Sequence, residues 1–314
     1  MSIVVIPDSA CDLSTDFLAK HPVKLLPLNI NLNGKIFCDN ISEAARLKFY
    51  ENGTIDKDQN AATLPATPDQ IYHFFLDDIA KYHDFAIAQS ISKVRSPTHE
   101  NIMSAARLIQ RDYHEHRNEA GRTGSFGMRI INSGTVFSGQ GILAAHTVKL
   151  IKDGVTRNQI RQKIEEFKPF IRAFAVPKDV DYLRNRARKK GDRSIGLLAA
   201  IVGKTLDISP ILRGYGDITE PVAKVKGRDV AIDKLFNYSI ARLHEGLKTP
   251  YIIVSIAGNP AELESIESFK ALRKLAESEK VELMTTVMNL SGGINMGPGT
   301  VCIALATENE TVDF

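Results

Sequence analysis

The chain begins with short apolar runs that alternate with segments of helical period. Three of these runs are predicted to be strands, at residues 3–6, 85–88 and 128–132. Each is followed by a polar loop and then by apolar residues spaced for one face of a helix. This order predicts a parallel sheet with helices on both faces, and the three loops are expected to meet at its carboxyl edge.

The rest of the first half carries turn and cap signals. Residues 23–32 are predicted to form one strand, which turns back through Asn33-Gly34 into a hairpin partner at residues 35–38. Thr67 precedes Pro68 and has the pattern of a helix cap. The polar segment 111–125 is predicted to be an exposed loop.

The second half has a different pattern. From residue 171 the strands alternate apolar and polar positions, which is typical of a sheet covered by helices on one side. We predict an edge strand at residues 208–212, a hairpin turn at 214–218, and helices at 195–206 and 228–245. The predicted architecture is α/β with two domains. A parallel α/β/α sheet domain spans residues 1–165, and a two-layer α/β domain with a mixed sheet spans 166–314.

Composition limits the class of protein. The 314 residues are 43% apolar and 25% charged, as in ordinary globular proteins, and the net charge of +3 argues against a dedicated nucleic-acid binder. Cys11, Cys38 and Cys302 lie far apart without metal-ligand spacing, so a reduced, cytoplasmic protein without a metal is expected. The N-terminus has the pattern of a strand rather than of a signal peptide. No apolar run approaches ~18 residues, so no stable membrane insertion is expected.

The loop between the strand at 85–88 and the following helix is rich in hydroxyl groups. It contains Ser92, Ser96 and Thr98, and Ser96 with Pro97 is predicted to start the helix as N-cap and first helical residue. The N–H groups at such a helix start, beside the carboxyl edge of a sheet, favour a carboxylate or phosphate. The alternative is a capped helix that binds no ligand.

Two further loops contribute candidate groups to the same edge. Ser9 follows Asp8 at the end of the first strand, level with residues 90–96 if the strands are parallel, and the alternative for this pair is an ordinary turn with an Asx cap. Thr63 lies in a predicted loop four residues ahead of Thr67. It is not needed for the Thr67 cap, so its hydroxyl is free for another partner.

A basic run and a glycine-rich segment remain. In residues 184–193, RNRARKKGDR, six of ten residues are basic. This run predicts a solvated helix face or a docking patch for an acidic partner, and nucleic acid is disfavoured because no aromatic residues interleave the charges. Residues 291–299 match neither the dinucleotide nor the nucleotide-phosphate glycine pattern, so we expect a loop that another segment or a ligand approaches closely.

Recognisable catalytic motifs are missing. The sequence contains no His-Glu-x-x-His, no Gly-x-Ser-x-Gly and no cysteine–histidine signature. The hydroxyl groups could hold an anion through neutral hydrogen bonds, but nothing evident would activate a nucleophile. This combination predicts binding rather than an enzyme.

Seven motifs occur in a fixed order along nearly the whole chain. They are Asp-Ser-Ala-Cys-Asp-Leu at 8–13, Pro27-Leu28 with Asp39, Thr-Leu-Pro at 63–65, Ser-Lys-Val-Arg-Ser-Pro-Thr at 92–98, Asn132-Ser133 with Ser-Gly-Gln-Gly at 138–141, Leu-Asp-Ile-Ser-Pro-Ile-Leu at 206–212 and Gly-Ile-Asn-Met-Gly-Pro-Gly at 293–299. Together they resemble the DegV family of bacterial fatty-acid-binding proteins. In this chain Pro97 stands in place of the family's glycine and Asn295 in place of its histidine.

The resemblance implies a function. The carboxylate of a long-chain fatty acid would be held by Thr63 and Ser96 between the domains, with the acyl tail in an apolar tunnel of the second domain. The other implied ligand-binding residues are Ser9, Ser92, Thr98, Gly293 and Asn295. The family serves a fatty acid kinase, to which it presents the acid and from which it carries the acyl-phosphate. Arg186 and Arg193 are the implied partner contacts, and no cofactor is expected besides the bound acid.

Three alternatives belong to other classes. A binder of a small phosphorylated or carboxylated metabolite would use the same helix start, in a shallow polar cleft. A serine-dependent acyl-transfer enzyme would use Ser96 as its nucleophile and would need a base within reach. A nucleic-acid adaptor built on residues 184–193 would bind with a steep dependence on salt.

Overall fold

A computed structural model describes residues 2–55, 60–190 and 207–314. The strands are β1 (Ile3–Pro7), β2 (Asn29–Leu32), β3 (Lys35–Cys38), β4 (Ala61–Leu64), β5 (Phe85–Ser90), β6 (Gly127–Asn132), β7 (Ile171–Val176), β8 (Ile208–Tyr215), β9 (Ile218–Lys226), β10 (Tyr251–Ile256), β11 (Glu282–Val287) and β12 (Val301–Ala306). The α-helices are α1 (Thr15–Lys20), α2 (Glu43–Glu51), α3 (Pro68–Phe74), α4 (Thr98–Glu119), α5 (Ser138–Lys152), α6 (Ile160–Phe167), α7 (Val180–Lys190), α8 (Arg228–Glu245), α9 (Glu267–Ser278) and α10 (Leu290–Met296).

The first sheet is parallel and has the order β1-β5-β6. Val23 and Leu26 extend it through isolated parallel bridges to Val5 and Asp8. The predicted single strand at 23–32 is therefore wrong, because regular pairing resumes only at β2. Pro27 lacks an N–H and lies between the two parts, which accounts for the break.

A small antiparallel sheet lies beside the first, in the order β3-β2-β4. Its β2–β3 turn is at Asn33 and Gly34, which both have positive φ, as the Asn-Gly signal predicts. On the other side of β2, Thr63 pairs with Ile30. Thr63 thus lies in a strand and not in the predicted loop, a difference that follows from pairing with a segment more than thirty residues away.

The second domain contains a mixed sheet with the order β11-β10-β12-β7-β8-β9. Only β10 and β11 are parallel. α8 and α9 cover one face of this sheet, while α5 from the first half of the chain packs against β7, β10 and β12. The predicted fold, a parallel sheet domain followed by a mixed-sheet α/β domain, is confirmed. The boundary after residue 165 falls near the end of α6 and stays a prediction.

The predicted edge strand at 208–212 is wrong, because β8 lies between β7 and β9. Pro210 is tolerated there since the β7–β8 ladder pairs only residues 173–175 with 212–214 and does not extend to it. The predicted helix at 195–206 lies outside the described residues.

The predicted loop at 111–125 is mostly helix, because α4 continues to Glu119. The helical face continues through Ile109, Tyr113 and Arg117, all of which are buried. Arg117 was hard to predict as a buried residue. Its guanidinium donates to the carbonyl oxygens of Ala80 and His83 and to Asp84, so its charge is paired with a carboxylate.

Candidate functional site

A cavity of about 440 Å³ lies between the loops of the first domain and the inner face of the mixed sheet. Its wall is contributed by β4, the loop before α4, the start of α5, strands β7, β8, β9 and β12, and α10. The lining residues are Leu28, Thr63, Pro65, Ile91, Val94, Arg95, Ser96, Val136, Phe137, Ala173, Phe174, Ala175, Leu212, Arg213, Gly214, Thr219, Ser291, Asn295, Met296 and Cys302.

Small side chains on one face of the mixed sheet create this space. Ala175 pairs with both Leu212 and Cys302, and Ala173 pairs with Gly214, so these residues share the inner face. The opposite face carries large residues that pack under α8 and α9, including Val176, Ile211 and Ile303. The inner face is therefore too shallow to fill the gap to the first domain, and an apolar cavity remains.

Thr63 and Ser96 lie on the wall of this one cavity, although they are far apart in sequence. The hydroxyl oxygen of Thr63 is buried and has no hydrogen-bond partner among the described residues. A hydroxyl that is removed from water without a partner is unfavourable by roughly 1–3 kcal/mol. A ligand acceptor in the cavity would remove that cost.

Ser96 does not cap α4 in the predicted way. The helix begins at Thr98, one residue after Pro97, and no side chain caps it in the standard N-cap position. The Ser96 hydroxyl oxygen accepts from the Thr98 N–H at 3.3 Å and lies 2.7 Å from the Thr98 hydroxyl. When Thr98 donates in that pair, the Ser96 proton is available to an acceptor in the cavity.

The glycine-rich segment forms the short helix α10 rather than the predicted loop. The Asn289 side chain caps it by accepting from Gly292 N–H at 2.7 Å. Asn295 lines the cavity, and its amide donates to the carbonyl of Ser291 at 2.7 Å. Gly293 is not a lining residue. A side chain at that position would collide with the Tyr50 ring, so this glycine allows a close approach of α2 to α10.

Three of the predicted hydroxyls are used inside the protein. Ser9 donates to Asp39 at 3.0 Å and accepts from the Leu28 N–H at 3.0 Å. Ser92 donates to Asp217 at 2.6 Å, and the Thr98 hydroxyl pairs with Ser96. Of the seven predicted ligand-binding residues, the structure brings Thr63, Ser96 and Asn295 to the cavity wall. The other four residues do not line the cavity but lie behind its wall; they are Ser9, Ser92, Thr98 and Gly293.

Arg186 is buried rather than presented to a partner. Its guanidinium donates to the carbonyl of Ile294 at 2.8 Å and to the carbonyl of Ala61, which ties α7 to α10 and β4. The prediction that Arg186 contacts a partner protein is therefore wrong, because its buried guanidinium donates to main-chain carbonyls of this chain. Arg193 lies outside the described residues.

A buried carboxylate network beside the cavity was not predicted. Asp12 accepts from Asn289 N–H at 2.9 Å, from the Asn289 amide at 2.7 Å and from the hydroxyls of Ser255 and Ser138 at 2.6 and 3.2 Å. Burial raises the pKa of Asp12. This residue joins the first domain to the cap of α10. The only sequence signal was its place in the Asp-Ser-Ala-Cys-Asp-Leu motif.

Asp8 and Asp39 complete this network. Asp8 accepts from the Ile91 N–H at 2.7 Å and from the Gln140 amide at 3.2 Å, and burial raises its pKa to about 6. Burial likewise raises the pKa of Asp39 to about 6. Ile91 and Leu28 are both cavity residues, so these carboxylates fix two parts of its wall.

A histidine contacts a serine, but this serine is Ser90 and not Ser96. His99 Nδ1 lies 3.3 Å from the hydroxyl of Ser90, which is fully buried and does not line the cavity. Burial lowers the pKa of His99. The hydroxyl of Ser96 instead pairs with Thr98. Within residues 2–55, 60–190 and 207–314 there is no group of three or more residues suited to holding a metal ion, and no helix has the length and apolarity of a membrane span.

Comparison with known proteins identifies the family. The family model described as "uncharacterised protein, DegV family" matches residues 2–308. A DegV domain-containing protein of Xanthomonas axonopodis pv. citri is 37% identical over 308 residues, which cover 98% of each chain. The chain belongs to the DegV family. The resemblance inferred from the seven motifs is thereby confirmed.

Solved DegV structures share the fold of this chain. The fatty acid binding protein DegV from Bacillus subtilis superposes with a TM-score of 0.74 at 18% identity, covering 98% of this chain and 100% of the other. A stearic acid-binding protein from Eubacterium ventriosum has the same TM-score and identity, with coverage of 98% and 99%. At this level of identity the likeness concerns the fold alone.

Proposed function

We propose that this DegV family protein binds a long-chain fatty acid in the cavity described above. The carboxylate accepts hydrogen bonds from the hydroxyls of Thr63 and Ser96, and the acyl tail lies along Ala175, Leu212 and Cys302. The observation that carries this proposal is the buried, unpartnered hydroxyl of Thr63 on the wall of an apolar cavity. The fatty acids named for the structural relatives support it.

The energetics suit an amphiphile. A carboxylate is strongly unfavourable in an apolar site unless it is hydrogen-bonded, and charge-assisted bonds from hydroxyls offset that cost. Each buried methylene contributes about 0.8 kcal/mol, so the tail supplies most of the affinity after the cost of ordering the ligand. The cavity volume of about 440 Å³ lies within the range of small-molecule sites.

The role that we infer for the bound acid is that of a carried substrate. The protein presents the acid to a fatty acid kinase and carries the acyl-phosphate, without itself catalysing a reaction. The family resemblance supports this role. The three cysteines have no disulfide partners, which supports a reducing, cytoplasmic location.

A small carboxylated or phosphorylated metabolite is the second candidate. Arg95 lies on the cavity wall beside Ser96, and a guanidinium next to a hydroxyl suits such an anion. This candidate requires no occupant in the apolar part of the cavity, so the two candidates differ in the size and hydrophobicity of the ligand.

Native mass spectrometry of protein purified from bacteria without detergent distinguishes them. We expect a species heavier than the polypeptide by a few hundred daltons, whose extra mass is extracted by organic solvent and identified as a fatty acid. A water-soluble anion would favour the second candidate. Protein that is empty after gentle purification, and that does not take up added palmitate or oleate, would contradict the proposal.

A further inference from the structure

We propose that Asp217 is a clasp that holds the mouth of the cavity closed and sets the rate at which ligand enters and leaves. This inference deepens the proposed function and rests on it. It concerns the β8–β9 hairpin, whose tip carries Asp217, and the loops that follow β5 and β6 in the first domain.

The contacts at the hairpin tip join the two domains. The Asp217 carboxylate accepts from the Ser92 hydroxyl at 2.6 Å and from the Asn132 amide at 3.0 and 3.2 Å. The Asp217 N–H donates to the carbonyl of Gly134 at 2.9 Å. One residue of the hairpin thus binds groups that follow both β5 and β6.

The turn at the hairpin tip accommodates the aspartate that makes these bonds. Gly216 and Asp217 have φ values of +55° and +66°, the geometry of a two-residue hairpin turn in which both central residues are left-handed. Glycine is the preferred residue at the second of these positions. Asp217 occupies it instead, and its side chain makes the interdomain bonds that glycine could not make.

The clasp joins the two sides of the same cavity. Val94, Arg95 and Ser96 line it directly after Ser92 in the chain, while Gly214 and Thr219 line it on either side of Asp217. Separating the hairpin from the Ser92 loop would therefore widen the cavity between these residues. An acyl chain that passes there requires the bonds of Asp217 to break temporarily.

This arrangement makes a kinetic prediction. The clasp is expected in both the empty and the loaded protein, and it is broken only while ligand passes. Removing it lowers the barrier in both directions, so the association and dissociation rate constants rise by the same factor and the Kd is unchanged. We expect a rise of at least about tenfold, the smallest effect that follows from losing one charge-assisted hydrogen bond.

The variants follow from the geometry. D217G removes the carboxylate and keeps a residue suited to positive φ, while S92A removes the shortest donor. K224A is the matched control, because Lys224 is exposed on the same hairpin and does not line the cavity. Stopped-flow fluorescence with an anthroyloxy-labelled fatty acid gives both rate constants. Both rate constants are expected to rise by the same factor within each variant, and more in D217G, which loses the bonds to Ser92 and Asn132, than in S92A, which loses one bond; K224A is expected to match wild type. Unchanged rates, or a changed Kd with an unchanged association rate, would overturn the clasp.

Hydrogen exchange in ligand-free protein separates this inference from the proposed function. We expect faster amide exchange over residues 212–219 in D217G and S92A, with exchange in β10 unchanged as an internal check on global stability. Wild-type protein that does not bind the labelled acid would contradict the proposed function while leaving this result interpretable. Exchange over 212–219 that matches wild type in both variants would overturn the clasp.

Discussion

Two polar regions lie next to each other where the domains meet, and their hydrogen bonding differs. The carboxylate of Asp12 accepts four hydrogen bonds, and that of Asp8 accepts from main-chain and side-chain donors on both oxygens. At the cavity wall, the buried hydroxyl of Thr63 has no partner in the part of the chain that the structure describes. Burial alone therefore does not distinguish a structural polar group from a binding group in this protein.

The difference follows from what each region does. The carboxylate network connects the first domain to α10 and to β10, and the carboxylate oxygens of Asp12 and Asp8 are paired within the fold. The cavity hydroxyls are left for a molecule from outside. Groups in the first region should therefore affect stability more than binding, and those in the second should affect binding more than stability.

The largest effect is expected for D12A. It leaves the buried donors of Asn289, Ser255 and Ser138 without their acceptor, which costs about 3–5 kcal/mol in the free energy of unfolding. Chemical denaturation measures this loss, and D229A at an exposed position on α8 is the control. A loss below about 1 kcal/mol would show that the network does not hold the domains together.

The pH dependence of stability comes next. Burial raises the pKa of Asp39 from its ordinary value near 3.8 to about 6. The folded state therefore binds a proton more tightly than the unfolded state, and this contribution to stability is lost as the pH rises from about 4 to about 6. Relative to D39N, the free energy of unfolding of the wild type should fall by roughly 2–3 kcal/mol as the pH rises from about 4 to about 6. If the difference in unfolding free energy between wild type and D39N does not change with pH, the raised pKa of Asp39 is not the cause.

Filling the cavity should weaken binding without unfolding the protein. Ala175→Leu extends a larger side chain from β7 into the space proposed for the acyl tail, and we expect at least about a tenfold rise in the Kd for palmitate. Ala223→Leu on β9, outside the cavity lining, is the matched control. Isothermal titration calorimetry measures both. Equal affinity in A175L and wild type would exclude the cavity as the site of the tail.

The smallest but most specific effect concerns two threonines. Thr63→Val removes the unpartnered hydroxyl, so the ligand-free protein should be as stable as wild type or slightly more stable, while fatty acid binding weakens about five- to tenfold. Thr147→Val removes a hydroxyl that accepts from Gln89 and donates to the Leu143 carbonyl. It should lower stability by about 1 kcal/mol and leave binding unchanged. Lower stability with unchanged binding in Thr63→Val, or weaker binding with unchanged stability in Thr147→Val, would contradict the distinction between the two regions.

Local pattern predicted some of this arrangement. The capping box at Thr67 is present, and it explains why Thr63 is not used as a cap. Apolar runs predicted the parallel sheet and the mixed sheet, because the periods of strands and helices are local properties. The hydroxyl of Thr63 has no partner among the described residues, although Thr63 lies in β4 and not in the predicted loop.

The remaining polar residues could not be assigned, because their partners are distant in sequence. Ser92 bonds Asp217 across 125 positions, and Arg186 bonds the Ile294 carbonyl across 108. A serine in a loop and an arginine in a basic run have the same local pattern whether they face solvent, a ligand or another element. Tertiary contacts decide which hydroxyls of the Ser9, Ser92 and Ser96 loops remain available.

A crystal structure of the protein saturated with palmitate tests the central claim most directly. The account predicts continuous density in the cavity, with the carboxylate oxygens within hydrogen-bond distance of the hydroxyls of Thr63 and Ser96 and the tail against Ala175. An empty cavity in the saturated crystal, or an acid whose carboxylate lies away from both hydroxyls, would contradict it.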